Sequence, residues 1–262
     1  AARDTAPDSF SKWEALYVGA VSGIPFLRAK LRGDLRRIGT SVTPFLEGAD
    51  PETDRSLQKI GDQFRKFYGH ELPRWERREG SCPVMIRDIP FILSKKRNIP
   101  DHRQVRFILM DGMRRDLWEY IRSCFFEKMS NLFRVVSEGA LWAGQPTNTA
   151  DQLQLFEDAL RSAYPDPEPD LFWKISGIDE KIHSEKGPLT HLFANVLSYL
   201  KIDLLFRLRD LPPRTLLILF SDHGFVENPA FSVKEKYDAP RYIHGKDSPF
   251  EVIVPWAWVM RI

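Results

Sequence analysis

Cysteine is scarce in this chain of 262 residues, which holds only Cys82 and Cys124. Two cysteines can form at most one bridge, so no disulfide framework supports the fold, and we expect a cytoplasmic protein. Long apolar runs are missing as well. No run reaches the roughly 18 residues that suggest a membrane span, and the first residues do not resemble a signal peptide. We therefore expect no membrane partner.

The chain also lacks internal repeats, low-complexity segments and a strong net charge. It carries 38 Lys and Arg against 36 Asp and Glu, and 43% of its residues are hydrophobic. This composition is typical of a globular protein with a sizeable core. The first 100 residues are mildly basic, which leaves nucleic-acid binding open, although a solvated helical face explains the excess more simply. Because the chain begins with Ala-Ala-Arg, we expect a piece of a longer protein.

Residues 1–80 show apolar side chains at helical spacing and no catalytic motif, which predicts a helical bundle or extension. The apolar stripes comprise Phe10, Trp13, Leu16 and Tyr17, then Phe26, Leu27, Leu31 and Leu35, and finally Ile60, Phe64 and Phe67. The last stripe belongs to a helix predicted to begin at Pro51, after Asp50 as its N-cap, and to end at Gly69.

Residues 81–102 form a connector with three prolines, in which 86–93 could form a short strand or helix. Residues 103–262 alternate apolar strands with helical patterns. This predicts an α/β domain with a mainly parallel sheet and helices on both faces. The predicted strands are 105–110, 132–136, 171–175, 215–221 and 252–260, the last broken by Pro255. A long apolar helix at 192–208 is expected to cover the sheet.

Two of the predicted strands stop abruptly at an aspartate. Strand 105–110 is followed by Asp111, and strand 215–221 by Asp222 and His223. In open α/β sheets the chemistry lies beyond the carboxyl ends of the strands, and parallel strands bring those ends to one edge. A carboxylate beside an imidazole suits a divalent metal such as zinc. Taken alone, either motif is explained as simply by a turn or a solvated strand end.

Three further segments hold candidate site residues. Asp179 and His183 lie four residues apart, on one face of a helix if the segment is helical, and could share one ion. His244 stands in a loop before the last strand. Thr149 begins a predicted helix, where it is either an N-cap or a nucleophile whose hydroxyl loses its proton to a metal. An arginine after the first strand, Arg114 or Arg115, could contact a phosphate.

Together these motifs resemble, in the same chain order, the metal-site series of the alkaline phosphatase superfamily, and they are closest to the PglZ domain. The resemblance covers residues 103–262 and implies an alkaline phosphatase-like core. It rests on Met-Asp-Gly-Met-Arg-Arg-Asp-Leu-Trp118, on Phe-Ser-Asp-His-Gly-Phe225 and on Arg-Tyr-Ile-His-Gly-Lys-Asp-Ser-Pro-Phe-Glu-Val-Ile-Val-Pro255. Pro-Thr-Asn-Thr149 and the spacing from Asp179 to His183 complete the series.

The resemblance implies two divalent metal ions, typically zinc, with manganese in some branches. One ion would be bound by Asp111, Thr149, Asp222 and His223, and the other by Asp179, His183 and His244. Thr149 would be the nucleophile, and Thr147 replaces it if the alignment shifts by two residues. The remaining histidines, His70, His102 and His191, are expected to be structural.

The implied activity is metal-dependent phosphoester hydrolysis. So short a domain should have an open pocket, which favours a phosphodiesterase acting on a large molecule, with a nucleotide or nucleic acid among the possible substrates. PglZ domains occur in bacterial phage-defence systems and as outputs of response regulators, so the partners would be other domains of a longer chain or a defence complex. The alternatives are a sulfatase or phosphomutase, although a sulfatase needs Cys or Ser at Thr149, and a catalytically inactive scaffold module of a defence complex.

Overall fold

The computed structural model of the chain describes residues 6–25, 27, 51–93, 104–231 and 239–262. The sequence features predicted at Phe26, Leu31, Leu35, Asp50 and His102 lie outside these residues.

Seven strands are present in the described residues. They are β1 (Gln104–Met110), β2 (Phe133–Trp142), β3 (Phe172–Ile175), β4 (Thr215–Phe220), β5 (Val226–Glu227), β6 (Tyr242–Ile243) and β7 (Ile253–Arg261). Five of them form one sheet in the order β2-β7-β4-β1-β3, and β5 and β6 form a separate pair. β1 pairs in parallel with β3 and β4, whereas β7 pairs antiparallel with β4 and β2.

The predicted α/β class is confirmed, but the prediction of a mainly parallel sheet is wrong, because two of the four pairings are antiparallel. The reason is the approach to β7. The residues before β7 stay at the edge where β4 ends, with the Gly224 amide donating to the Glu251 carbonyl at 2.9 Å. The chain therefore enters β7 from that edge and runs against its neighbours. Pro255 does not break the strand, since its carbonyl still accepts a bond from the Ser221 amide at 3.2 Å.

Because β7 is reversed, its amino end lies at the edge of the sheet where the other four strands end. β1, β2, β3 and β4 run in the same direction, so four carboxyl ends and the amino end of β7 lie together. We call this the upper edge, defined by Met110, Trp142, Ile175, Phe220 and Ile253. Every segment predicted to hold a site residue follows or precedes one of these five positions.

The α-helices whose bounds lie in the described residues are α1 (Phe10–Leu16), which continues as a π-helical turn to Val21, α2 (Pro51–Glu76), α3 (Arg115–Ile121), α4 (Thr149–Ala163), α5 (Gly177–Ser184), α6 (Leu189–Arg209) and α7 (Pro249–Val252). The 86–93 segment contains a 3₁₀ helix, Ile86–Phe91. α2 begins at Pro51 as predicted, but its predicted end at Gly69 is wrong. Leu72 and Trp75 extend the buried stripe by two turns, which offsets the cost of about 1 kcal/mol for a glycine inside a helix.

Both faces of the sheet are covered, as predicted. One core joins alternate residues of β1, β4 and β7 to α3, α5 and α6, and the other joins the remaining residues to α4 and the 3₁₀ helix. α6 has 21 residues, and an 18-residue window within it has a mean hydropathy of 1.2, so by length and composition it could cross a membrane. A core helix passes the same test, and here Leu192, Val196 and Leu200 are fully buried against the sheet.

A third core joins the N-terminal helices to the upper edge. Trp13 of α1 and Phe64 of α2 pack with Trp142 at the end of β2 and with Ile253 at the start of β7. The N-terminal helices thus lie beside the edge that carries the candidate site residues.

Candidate metal centre

The end of β1 places Asp111 against the end of β4. Asp111 is only 3% exposed, and the next residue, Gly112, has a φ of +77°, which side chains other than glycine rarely adopt. The Gly112 amide donates to Asp222 Oδ1 at 3.2 Å. A Cβ on Gly112 would lie 2.9 Å from Ile182 Cδ1 of α5. This glycine therefore lets two aspartates and α5 approach each other.

His223 is fully buried beside both aspartates, and its hydrogen bonding fixes its orientation. Its Nδ1 lies 3.0 Å from the Gly224 carbonyl, which assigns the proton to Nδ1 in the neutral ring. Nε2 then faces Asp111 Oδ1 at 3.5 Å and Asp222 Oδ2 at 3.7 Å with its lone pair available. The Gly224 position must be glycine for a steric reason, since a Cβ there would lie 2.0 Å from the Phe250 carbonyl oxygen.

Thr149 joins this group from the start of α4. Its hydroxyl donates to Asp111 Oδ1 at 2.8 Å and lies 3.1 Å from His223 Nε2. The N-cap of α4 is Asn148, whose side chain accepts from the Asp151 amide, so Thr149 is not the cap. Thr147 donates its hydroxyl to the Lys246 carbonyl at 2.7 Å. Of the two threonines, Thr149 is the one placed against the predicted ligands.

A second group adjoins the first. Asp179 and His183 lie on α5, and the 3.3 Å between Asp179 Oδ1 and His183 Nε2 agrees with the predicted helical spacing. His244 Nε2 lies 3.6 Å from the same oxygen and 3.1 Å from His183 Nε2. The His244 ring stacks on the His223 ring with centroids 4.1 Å apart. The structure thus brings all seven predicted site residues together.

Within the part of the chain that the structure describes, two sets of side chains have ligand atoms close enough to hold a metal ion. Asp111, Asp222 and His223 form one set, and Asp179, His223 and His244 form the other, with the atoms of each set within 4.8 Å of one another. The second set differs from the resemblance, which pairs His183 with Asp179 and His244. His183 is the half-exposed member of the group, so it lies at the rim.

Two observations show that these residues fit a cation. Asp179 Oδ1 and Asp222 Oδ2 are buried and have no hydrogen-bond partner among the described residues, which is costly for a carboxylate. The Nε2 atoms of His183 and His244 lie 3.1 Å apart, a separation at which one shared proton or one bound cation satisfies both rings. Nitrogen and oxygen ligands without cysteine suit zinc or manganese.

The charges within the group shift several pKa values. Burial raises the pKa of Asp222, and the Asp111 carboxylate adds to this effect. Burial would lower the pKa of His223, but Asp222 and the hydrogen bond to Asp111 outweigh it and raise that pKa to about 9. Burial and the neighbouring His223 lower the pKa of His244. A divalent cation would compete with protons for the same negative charge.

Lys174 is a neighbour of Asp111 that no sequence motif predicted. Its Nζ lies 2.9 Å from Asp111 Oδ2, at the end of β3. Burial opposes the ionisation of Asp111, yet hydrogen bonds from His223, Lys174 and Thr149 lower its pKa. The sequence signal was present but weak: a lysine next to the last residue of a strand that ends at the upper edge.

The two arginines considered for phosphate binding have other partners. Arg114 is buried, donates to both carboxylate oxygens of Asp116 at 2.6 Å and lies 4.4 Å above the Phe225 ring. Arg115 pairs with Glu119 and Glu138. Both arginines thus hold α3 and its surroundings in place.

Two of the histidines expected to be structural pair with nearby acids. His191, in the first turn of α6, has its Nδ1 2.9 Å from Glu185. His70 lies 2.9 Å from Glu71, and both residues are on α2.

No protein-family model matches the chain, and comparison with curated proteins finds no match. Assignment to the PglZ domain therefore remains a prediction from the motifs.

Proposed function

We propose that this chain is a metal-dependent phosphoester hydrolase that uses Thr149 as its nucleophile and two divalent ions, zinc or manganese. The observation that supports this function is the position of the Thr149 hydroxyl, 2.8 Å from Asp111 and 3.1 Å from His223. A hydroxyl that merely caps a helix does not need buried carboxylates and an imidazole around it.

The start of α4 favours an anionic substrate at Thr149. The first backbone N–H groups of a helix lack intrahelical partners, and the helix dipole is positive at this end. α4 has 15 residues and begins at Thr149 itself, which is only partly buried. A phosphoryl group that reaches the hydroxyl would therefore also meet the amide end of the helix.

In the proposed reaction, each side chain has one role. Thr149 Oγ1 attacks phosphorus, the bond to the leaving alcohol breaks, and a phosphothreonine forms that water then hydrolyses. The Thr149 proton leaves along its hydrogen bond to Asp111, since the Nε2 lone pair of His223 would be used by the ion. Bound divalent ions would lower the pKa of the hydroxyl and neutralise charge on the phosphoryl group.

The charge balance supports strict metal dependence. Asp111, Asp179 and Asp222 bring three negative charges, which Lys174 and a protonated His223 offset in part, and two divalent cations bring four positive ones. Without metal, the carboxylates repel a phosphate anion at about 1 kcal/mol or more for each close pair of charges. With metal, the group attracts it.

We further propose that a phosphodiester is preferred over a monoester, since the rim of the group is open to solvent. His183 is 46% exposed and Asp179 is 23% exposed. An open rim accommodates a substituent on both sides of the phosphate, as in a nucleotide or nucleic acid. The proposed setting is that of PglZ domains, in a cytoplasmic phage-defence complex or as the output of a response regulator.

The test is hydrolysis of bis-p-nitrophenyl phosphate with zinc or manganese by the wild type, Thr149→Ala and Thr147→Ala. We expect Thr149→Ala to lose about a thousandfold or more in kcat, since nucleophile removal abolishes the chemical step. Thr147→Ala, the matched control two residues away, should keep most of the activity. Wild type without activity under every divalent metal, or a fully active Thr149→Ala variant, contradicts the proposal.

The same purified protein also distinguishes the hydrolase from the alternative, an inactive scaffold. A scaffold module need hold no metal, so metal analysis of the purified protein, reloaded with zinc and freed of excess, distinguishes the two. We expect close to two ions per chain.

A further inference from the structure

Lys174 places a positive charge beside Asp111, the carboxylate that accepts from the proposed nucleophile. It lies next to the last residue of β3, where it pairs in register with Leu109 of β1. Its Nζ is 2.9 Å from Asp111 Oδ2, and its side chain is 31% exposed while that of Asp111 is 4% exposed. The ammonium group thus sits between a buried carboxylate and the solvent at the upper edge.

The Asp111 carboxylate limits the distance between Lys174 and Thr149. One oxygen, Oδ1, accepts from the Thr149 hydroxyl, and the other, Oδ2, accepts from Lys174. The ammonium and the nucleophile are therefore attached to the two oxygens of one carboxylate. A phosphoryl group whose phosphorus lies about 3–3.5 Å from the Thr149 hydroxyl oxygen would therefore lie near the Lys174 side chain.

The ammonium also has hydrogen-bonding capacity left for a ligand. A lysine offers three N–H donors, and the bond to Asp111 uses one of them. Arg114 and Arg115 are engaged with carboxylates of α3 and β2. Among the cations that the structure describes next to Asp111, Lys174 is the one that keeps an exposed side.

We propose that Lys174 is a substrate-binding residue that donates to a charged, non-bridging oxygen of the phosphoryl group attacked by Thr149. This inference rests on the proposed function and adds the residue that recognises the charge of the substrate. Its contribution grows with the charge on the phosphoryl oxygens, because a lysine binds phosphate as a point charge. A phosphomonoester or inorganic phosphate depends on it more than a phosphodiester does.

The experiment compares Lys174→Met and Lys174→Arg with the wild type, using the metal-loaded protein. Lys128→Met is the matched control, since Lys128 is an exposed lysine before β2, at the opposite end of that strand from the upper edge. Binding of inorganic phosphate is measured by calorimetry. Hydrolysis of p-nitrophenyl phosphate and of bis-p-nitrophenyl phosphate is measured alongside, together with the metal content of each protein.

We expect Lys174→Met to bind phosphate roughly 10- to 100-fold more weakly, the range for a lost hydrogen bond to a charged group. The kcat/KM for the monoester should fall by a similar factor, and that for the diester by less. Lys174→Arg should recover part of both losses, and metal content should not change. Unchanged phosphate affinity, or an equal loss for both substrates together with loss of metal, overturns the assignment and leaves Lys174 as a partner that only positions Asp111.

Phosphate binding does not need turnover, so the two proposals can fail separately. A wild type that binds phosphate through Lys174 but hydrolyses nothing contradicts the hydrolase and supports the role of Lys174. A wild type that hydrolyses phosphoesters with Lys174→Met unimpaired does the reverse.

Discussion

His223 belongs to both sets of candidate ligands, and its surroundings determine what it can do. The ring is fully buried, its Nδ1 is bound to the Gly224 carbonyl, and its Nε2 faces two carboxylates and a hydroxyl. A buried neutral histidine in a core would satisfy both nitrogens with neutral partners. The carboxylates around this one instead raise its pKa to about 9, which marks a cation-binding environment.

At the residue scale, Asp222 tests whether that environment binds metal. In Asp222→Asn the side chain keeps its shape and an oxygen for the Gly112 amide, but the negative charge is lost. We expect the zinc content to fall by about one ion per chain and the increase in Tm on adding zinc to shrink. Metal analysis and thermal melts measure both. Asp158→Asn, on the exposed face of α4, should behave as wild type.

At the scale of elements, the N-terminal helices contact the segment that leads to Thr149. The Tyr68 hydroxyl of α2 donates to the Ala143 carbonyl at 2.7 Å, and Trp142 donates to Glu14 of α1 at 2.6 Å. Ala143 in turn donates its amide to the Val252 carbonyl of α7. The helices therefore support the loops on both sides of the candidate site. A displacement of α2 would move Ala143 and, through the short segment after it, Thr149.

Tyr68→Phe tests that support. The substitution leaves the buried Ala143 carbonyl without its side-chain donor, which costs about 1–3 kcal/mol in the free energy of unfolding. Urea unfolding measures this change. Tyr164→Phe is the control, because the Tyr164 hydroxyl has no hydrogen-bond partner among the described residues. An equal and small effect of both substitutions shows that the bond to Ala143 contributes nothing.

At the scale of the whole molecule, metal and protons compete for one group of charges. The folded-state pKa of His223 is above its ordinary value of 6.5, so its protonation stabilises the metal-free protein below that value. This contribution is lost as the pH rises toward 9. Asp222, whose pKa is also raised, acts in the same direction. His244, whose pKa is lowered, changes the stability below pH 6.5 and in the opposite direction. Metal binding has the opposite dependence, since the histidines must be neutral to bind an ion.

We therefore expect the chelated protein to lose stability between pH 6.5 and 9, by at most about 3 kcal/mol from His223. In the same range the stabilisation from added zinc should grow, reaching about 2.7 kcal/mol when free metal is 100 times its Kd. Thermal melts with chelator and with zinc measure both trends. His70→Gln, which alters an exposed histidine on α2, is the control. A chelated protein whose stability is constant or rises across this window contradicts the assignment.

Local pattern predicted most elements because it reflects burial. The β1 and β4 strands and the α6 helix were located to within a few residues from apolar runs alone, and the aspartates at the strand ends were recognised from the abrupt stop. β2 was predicted too short. Ser137 to Leu141 lack a strand-like pattern, and pairing with β7 is what holds them in the sheet.

The sequence by itself determined the local features of the site: the buried strands, the polar residues at their ends, and a threonine at the start of a helix. Each depends on neighbours a few residues away, so a local pattern suffices. Only the tertiary structure decided that β7 is reversed, that Arg114 forms an ion pair with Asp116 and that Lys174 forms one with Asp111. It also brought Thr149 to residues 38 and 74 positions away in the chain, because strand order and direction are set by packing of the whole sheet, which no local pattern encodes.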